Sequence, residues 1–232
     1  MSIRKHAVAA LDARRFPVET GTRASSKRPP FSEGDVLDSG AMGDLQDAYG
    51  PRGDPQRHRS CSELELGHRG LTGSPRSSGR LSLIVRRRAD GVRETPERVR
   101  LSLQEGVPGD AWMRRPRRDA EAQLAVMQRD VAELIANGQP LSVFGDNLFV
   151  ELDLSTANLP PGSRLRVGAA LVVVTPKPHN GCVKFRVRFG QEALRFVHAT
   201  PTRGQNLRGI YWRVVESGAV AVGDQIDVVS RI

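Results

Sequence analysis

The chain has 232 residues, and 35 lysines and arginines against 26 aspartates and glutamates give it a net charge of +9. No apolar run approaches the roughly 20 residues that a membrane-spanning helix needs, and the N-terminus lacks the apolar core of a secretory signal. These features argue against membrane insertion and secretion, so we expect a cytoplasmic protein. The two cysteines, Cys61 and Cys182, lie far apart in the sequence, which argues against a disulfide framework.

The composition changes along the chain, and this change predicts the domain organisation. Residues 1–60 carry few aromatic or β-branched residues and many Gly, Pro, Ser and Arg, so they offer little apolar surface to offset the entropy of ordering. We expect this segment to be disordered, or to be a gene-model extension with the true start at Met42. Residues 61–80 are expected to be a linker that begins with a short helix at Cys61, and residues 81–232 to be the folded domain.

The first half of the expected domain contains strands and one helix. Residues 81–85 alternate in a pattern typical of a strand, and residues 123–127 are typical of a buried strand. Residues 95–103 stay open, since a Thr-Pro pair could begin a helix whereas three alternating apolar residues fit a strand. Apolar residues at helical spacing over 131–135 predict a helix that ends at the Asn-Gly pair 137–138.

The second half contains β-branched runs separated by glycine-containing turns. Gly145-Asp146-Asn147 is typical of a hairpin turn, and 192–197 has the apolar spacing of a helix. Further strands are predicted at 164–167, 170–175, 210–215 and 225–229. With six or more strands and two or three helices, the pattern predicts a mainly β fold, in which a barrel or a strongly curved sheet is flanked by helices.

The most specific passage is Thr175–Gly190, in which a strand ends in a proline-containing loop that leads to Cys182. A cysteine at the start of a helix lies near backbone N–H groups and the positive end of the helix dipole, which favour thiolate over thiol. Lys184 and Arg186 would add to that preference. A thiolate can act as a nucleophile, accept a sulfane sulfur as a persulfide, or coordinate a soft metal. The alternative is that Cys182 is a small buried apolar residue.

A series of short motifs runs through the expected domain, from about Leu81 to Val229. They are Gly109-Asp110, Gln123, Gly145–Leu154, Leu159–Gly168, Leu171–Thr175, Pro178–Cys182, Arg208–Val215 and Gly223-Asp224. In this order they resemble the MOSC domain family, which is named for the C-terminal domain of molybdenum cofactor sulfurases. One departure is Ala111-Trp112, since many small family members carry a basic residue and then histidine there, so the role of that histidine does not transfer.

The resemblance is to the small stand-alone bacterial type of MOSC domain, and it implies a β-barrel with Cys182 in a pocket. It implies that this cysteine carries sulfur toward the molybdenum cofactor or ligates molybdenum held by a pterin. The protein would then be a molybdenum-dependent reductase or a sulfur-transfer protein, acting on a small-molecule substrate with a cysteine desulfurase or redox partner. Pyridoxal phosphate would belong to the desulfurase partner, because this chain has no lysine-centred cofactor motif.

Four further residues accompany Cys182 in this interpretation. His179 could hold or donate a proton to a species bound at the sulfur, because an unperturbed imidazole titrates at about pH 6.5. One histidine and one cysteine do not make a zinc site. Asp110 could direct a carboxylate into the pocket or cap a turn, and Asn147 resembles a polar residue at the pocket edge but also suits a turn. Arg208 either contacts a ligand or lies at the surface.

Eleven arginines crowd residues 80–118, and they suggest an anionic partner. Guanidinium groups grip phosphate with two parallel donors, so a phosphorylated small molecule or a nucleic acid could bind here, whereas a solvated basic surface is the alternative. Aromatic residues make up only 5% of the chain and no RNA-recognition motif is present, so nucleic-acid binding is the second hypothesis. A barrel without catalytic function is the third.

Overall fold

A computed structural model of the chain describes residues 50–231, and these contain eleven strands and three α-helices. The strands are β1 (Ser78–Ile84), β2 (Arg86–Arg87), β3 (Arg93–Glu94), β4 (Arg98–Leu101), β5 (Leu124–Gln128), β6 (Leu148–Glu151), β7 (Arg164–Val167), β8 (Ala170–Val174), β9 (Ile210–Glu216), β10 (Gly218–Ala221) and β11 (Gln225–Ser230). The helices are α1 (Cys61–Arg69), α2 (Arg129–Ala136) and α3 (Val183–His198). The expectations for residues 1–49, including a start at Met42, lie outside the described residues.

Seven of the strands close into a barrel, in the spatial order β1-β11-β7-β8-β9-β5-β6. Neighbours in the barrel are antiparallel except β5 and β6, which run parallel. Two further ribbons pair β4 with β10 and β2 with β3. The prediction of a mainly β barrel with flanking helices is therefore confirmed.

Apolar side chains fill the barrel interior because every second residue of a strand faces inward. On β9 these are Ile210, Trp212 and Val214. Strands β5 and β6 are buried on both faces, since alternate residues face the interior and a layer of helices outside it. This second contact explains why residues 124–127 form a continuous apolar run rather than an alternating one.

The helix layer covers the outer face of β5 and β6. Phe185, Phe189 and Phe196 of α3 are almost fully buried there, next to Leu64 of α1 and Ile135 of α2. The rings of Phe185 and Phe189 lie 5.1 Å apart between centroids. Burying three aromatic rings against the barrel fixes the position of α3, and this helix carries the candidate site at its start.

The ends of α1 and α2 follow local sequence signals. Ser60 and Glu63 form a capping box at the start of α1, since the Ser60 side chain accepts the Glu63 N–H and Glu63 accepts the Ser60 N–H. Helix α2 ends at Asn137, whose backbone is left-handed with φ 49°, as the Asn-Gly pair predicts. The helix predicted at Cys61 is also confirmed.

The structure resolves one segment that the sequence left open and corrects one predicted turn. The ambiguous segment 95–103 contains a strand, because alternate residues of β4 are buried and the strand pairs with β10. The predicted hairpin turn at Gly145–Asn147 is wrong, since the preceding residues 141–143 form a 3-10 helix rather than a strand. Asp146 and Asn147 are buried there and bond to neighbouring elements.

No helix within residues 50–231 is both long and apolar enough to cross a membrane. Cys61 and Cys182 are both free thiols. Helix α1 and β1 cover much of segment 61–80, so the segment predicted to be a linker contains regular structure, while the predicted domain division itself stays a prediction.

Candidate functional site

Cys182 lies at the exposed N-cap of α3, after the loop that follows β8. The prediction that this cysteine begins a helix is therefore confirmed, and the alternative of a buried apolar residue is wrong for this fold. Thr175 fixes the start of the loop, because its hydroxyl donates to the Glu121 carbonyl at 2.7 Å. The sulfur is accessible to a ligand because the loop presents it at the wall of a pocket.

Helix α3 folds back on itself and thereby holds the cysteine loop. Gly190 interrupts the helix with φ 87°, a conformation that residues with a side chain rarely adopt. The Gly181 N–H donates to Nε2 of His198 at 2.9 Å, although a straight helix would separate its two ends by more than about 20 Å. The last residue of α3 therefore anchors the residue before Cys182.

The pocket beside Cys182 has a volume of about 460 Å³, and its charged side chains are all basic. No aspartate or glutamate is among the described residues that line it. The eight basic lining residues are Arg87, Arg88, Arg93, Arg114, Arg115, Lys184, Arg188 and Arg208. Such a concentration of positive charge attracts anions and disfavours cations.

Arg87 is held in the pocket wall by Asp110. The Asp110 carboxylate accepts hydrogen bonds from Nε of Arg87 at 2.9 Å and from the Arg87 backbone N–H at 2.8 Å. It also accepts the Trp112 N–H at 2.9 Å as the N-cap of the 3-10 helix 111–114. Burial would raise the pKa of Asp110, but the hydrogen bonds and charge of Arg87 outweigh it and keep the pKa below its usual value.

Arg208 is held in the same way by a second buried carboxylate. Nη1 of Arg208 donates to both oxygens of Asp146 at 2.9 Å, and the guanidinium lies 5.0 Å from the Phe185 ring. Arg208 lies between Asn206 and Gly209, which both have left-handed backbone. A side chain at Gly209 would begin 2.1 Å from the Val126 carbonyl oxygen, so glycine allows the close approach that brings Arg208 to the pocket.

The closeness of the cations in the pocket affects the pKa values of Arg188 and Lys184. Burial, with the charge of Arg93 next, lowers the pKa of Arg188 to about 10. Burial and the charge of Arg188 also lower the pKa of Lys184. A protein that holds several cations close enough to oppose one another's charge is suited to a ligand that supplies negative charge.

His179 lies in this pocket with its ring 4.2 Å from the ring of Tyr211 between centroids. Its side chain is 5% exposed, and Nδ1 lies 3.7 Å from Oδ1 of Asp146, too far for a hydrogen bond. Burial, followed by the charges of Arg208 and Arg87, lowers its pKa well below 6.5. The expected titration at about pH 6.5 is therefore wrong in the folded protein, and His179 is a neutral imidazole with one N–H.

The neutral state of His179 predicts a pH-dependent stability. Below about pH 6.5 the unfolded chain binds a proton at this residue while the folded protein does not, so stability is full above that pH and falls as the pH decreases. We expect a loss of roughly 1 kcal/mol per pH unit between about pH 6.5 and pH 5. Urea unfolding at each pH measures it, and His179→Gln should remove this slope. An equal slope in the variant would contradict the assignment.

The remaining candidate residues support the wall instead of lining the pocket. Asp110 and Asn147 are both buried, and neither is among the lining residues. Asn147 accepts from Nη2 of Arg87 at 3.2 Å and from the Ala125 N–H of β5, and it donates to the carbonyl of Val85, which lies between β1 and β2. Of the five residues singled out in the sequence, Cys182, His179 and Arg208 therefore meet in one pocket.

Sequence reasoning did not single out Arg87 or Arg188 for the site. Arg87 was one of eleven arginines between 80 and 118, and nothing local distinguishes it from Arg86 or Arg88. Its position two residues after the well-buried Val85, on the same face of an alternating pattern, was the available signal. Within residues 50–231, no three His, Cys, Asp or Glu side chains are grouped so that they could hold a metal ion.

Comparison with known proteins matches residues 113–227 to the MOSC domain. Similar solved structures include YiiM from Escherichia coli, with 21% identity, 66% of this chain and 71% of that chain covered, and a TM-score of 0.44. The YuaD protein from Bacillus subtilis has 17% identity, coverage of 66% and 97%, and a TM-score of 0.43. YiiM from Geobacillus stearothermophilus has 19% identity, coverage of 68% and 75%, and a TM-score of 0.40.

A search of curated proteins finds no match to this chain. The MOSC match includes Cys182, His179 and Arg208 but begins after Arg87 and Asp110. MOSC domains as a family are associated with the molybdenum cofactor. Through residues 113–227, the chain belongs to the MOSC domain family.

Proposed function

We propose that this protein binds the molybdenum cofactor in the cationic pocket, with Cys182 as the molybdenum ligand. The observation that carries the proposal is the presence of an exposed thiol and eight basic side chains in one pocket without an acidic lining residue. A pterin cofactor bears phosphate, and guanidinium groups bind phosphate through paired, charge-assisted hydrogen bonds. A soft thiolate sulfur suits molybdenum.

The residues that line the pocket fit the molybdenum cofactor in charge and size. The pocket volume of about 460 Å³ lies within the range of about 300–1,000 Å³ that is usual for small-molecule sites. Arg188 and Lys184, whose pKa values are lowered by burial and by neighbouring cations, would gain stability from a bound anion. When bound, the cofactor would supply a molybdenum centre for redox chemistry on a small-molecule substrate.

The residues of this chain would hold and orient what binds beside the sulfur. The carboxylates of Asp146 and Asp110 accept hydrogen bonds from the guanidinium groups of Arg208 and Arg87 and hold them in place. These guanidinium groups would therefore donate hydrogen bonds to a ligand from fixed positions. His179 is neutral, so it would offer one N–H and one lone pair to a bound group without adding positive charge. A redox reaction would need an electron donor from a partner, because no flavin or iron–sulfur motif occurs in the sequence.

A second function, sulfur carriage, is supported by the exposure of Cys182. The Cys182 thiolate would attack the outer sulfur of a donor persulfide, the donor's S–S bond would break, and the donor thiolate would leave. A cysteine desulfurase that holds its own pyridoxal phosphate would be such a donor. The cationic pocket would then bind the anionic acceptor of the sulfur.

The arginine arrangement favours a small anion over a nucleic acid. Arg87, Arg88, Arg114 and Arg115, all from the crowded segment 80–118, line the recessed pocket. Their charge is therefore concentrated at one concave site. A polymer backbone would instead be matched by a basic stripe along an open groove or face.

The proposal is tested by two measurements on the full-length protein. Protein purified from molybdate-supplemented cells should contain molybdenum by elemental analysis, and Cys182→Ser should reduce it to background. Protein incubated with a cysteine desulfurase and cysteine is analysed by intact mass spectrometry for an added sulfur atom at Cys182. Cys61→Ser is the matched control, since Cys61 does not line the pocket, and it should behave as wild type. If Cys182 gains neither molybdenum nor sulfur, both versions are wrong.

A further inference from the structure

Residues 50–58 form an N-terminal strap that lies ahead of the segment matched to the MOSC domain. The strap is tied to the end of α2 at two points. The Asp54 N–H donates to Oε1 of Gln139 at 2.7 Å, and Nδ2 of Asn137 donates to the Arg57 carbonyl at 3.1 Å. These bonds fix the strap to the helix layer independently of the pocket.

The strap also holds Arg188 by both its side chain and its backbone. Nε of Arg188 donates to the Pro51 carbonyl at 3.1 Å. Nε2 of His58 lies 3.2 Å from the Arg188 carbonyl oxygen, and because a carbonyl only accepts, the His58 ring must carry its proton on Nε2. Arg188 lines the pocket beside Cys182, and Gly50 at the start of the strap lines it as well.

Two glycines make this close contact possible. A side chain at Gly53 would begin only 1.6 Å from the Arg188 carbonyl oxygen, so any larger residue would push the strap away from α3. A side chain at Gly190 would begin 2.8 Å from Nδ1 of His58, at the point where α3 breaks. The strap therefore packs directly on the break in α3 that follows Arg188.

We propose that the strap is part of the ligand pocket and sets its affinity for anions by orienting Arg188. This inference rests on the proposed anion site at Cys182. Arg188 faces other cations in the pocket, and their repulsion favours orientations that move its guanidinium away. The Pro51 carbonyl opposes that movement by accepting a hydrogen bond from Nε of Arg188. Pro51 and His58 are thus positioning residues.

The test measures the affinity of the full-length protein for pyrophosphate by isothermal titration calorimetry. Gly53→Ala should weaken binding by roughly tenfold, and His58→Ala by roughly five- to tenfold, because each loosens the packing of the strap on the Arg188 backbone and so its hold on the guanidinium. Gly204→Ala is the matched control, since nothing lies within 4 Å of its Cβ position and its φ is not positive, and it should bind as wild type. Thermal melting of each variant establishes that it is folded.

An Arg188→Met background separates positioning from general damage. If the strap acts through Arg188, His58→Ala should have no further effect on pyrophosphate affinity in that background. Wild-type affinity in both strap variants, or a full His58→Ala effect without Arg188, would overturn the inference while leaving the anion site intact. A wild-type protein that binds no pyrophosphate would overturn the anion site itself and this inference with it.

Discussion

Asp110→Ala is expected to lower the free energy of unfolding by about 3–5 kcal/mol. The substitution leaves the Arg87 guanidinium, whose side chain is 11% exposed, without its carboxylate partner. It also removes the acceptor for the backbone N–H groups of Arg87 and Trp112. Since a domain of this kind has only about 5–15 kcal/mol of total stability, the variant should be close to unfolding.

Urea unfolding at neutral pH measures this loss, with Glu133→Ala as the control. Glu133 also pairs with an arginine, Arg129, but the carboxylate is 51% exposed and four residues from its partner on α2. Removing an exposed pair of this type costs at most about 0.5 kcal/mol. Equal losses in the two variants would show that burial does not strengthen the Asp110 interaction.

The double variant Arg87→Met/Asp110→Asn should regain most of the stability but bind pyrophosphate about 10- to 100-fold more weakly than wild type. Removing both charges leaves no unpaired ion in the wall, and asparagine can still cap the 3-10 helix at Trp112. The pocket nevertheless loses one of its fixed guanidinium groups. This variant should therefore be nearly as stable as wild type while its affinity for pyrophosphate is reduced.

Urea unfolding and calorimetry on the same preparation make that comparison. Arg87→Met alone is the informative intermediate, because it leaves the Asp110 carboxylate buried and unpaired and should be less stable than the double variant. Wild-type affinity in a well-folded double variant would mean that Arg87 supports the wall without contacting an anion.

Most strands of the barrel could be predicted from the sequence, because inward-facing and outward-facing residues alternate along a strand. This alternation is visible within a short stretch of sequence. Strands β7, β8, β9 and β11 were found within a residue or two of their ends. The ribbon strand β10 was missed, since its sequence Gly-Ala-Val-Ala carries a weak apolar signal and its pairing with β4 is remote in sequence. The turn before β6 was misread because Gly-Asp-Asn also occurs where buried side chains, rather than a hairpin, determine the backbone.

A site residue could be predicted only where its neighbours in the sequence or the family resemblance pointed to it. Cys182 could be placed at a helix start from its neighbours, and the family resemblance brought Arg208 to the same pocket. The lowered pKa of His179 could not be predicted, because it comes from burial and from two arginines distant in sequence. Arg188 was also not identifiable as a pocket residue, since the Pro51 carbonyl that accepts from its side chain lies 137 residues earlier in the chain.

The number of strands in the barrel has a consequence for where Asp146 lies. In a closed ring, strand direction reverses at every antiparallel neighbour, so a ring of seven cannot close without a parallel pair. The pair β5 and β6 fulfils this requirement, and parallel neighbours need a connection that returns to the starting end of the sheet. Helix α2 begins that return and Asp146 lies just before β6. Because the number of strands is odd, the barrel needs a parallel pair, and the connection between β5 and β6 brings the Asp146 carboxylate to Arg208.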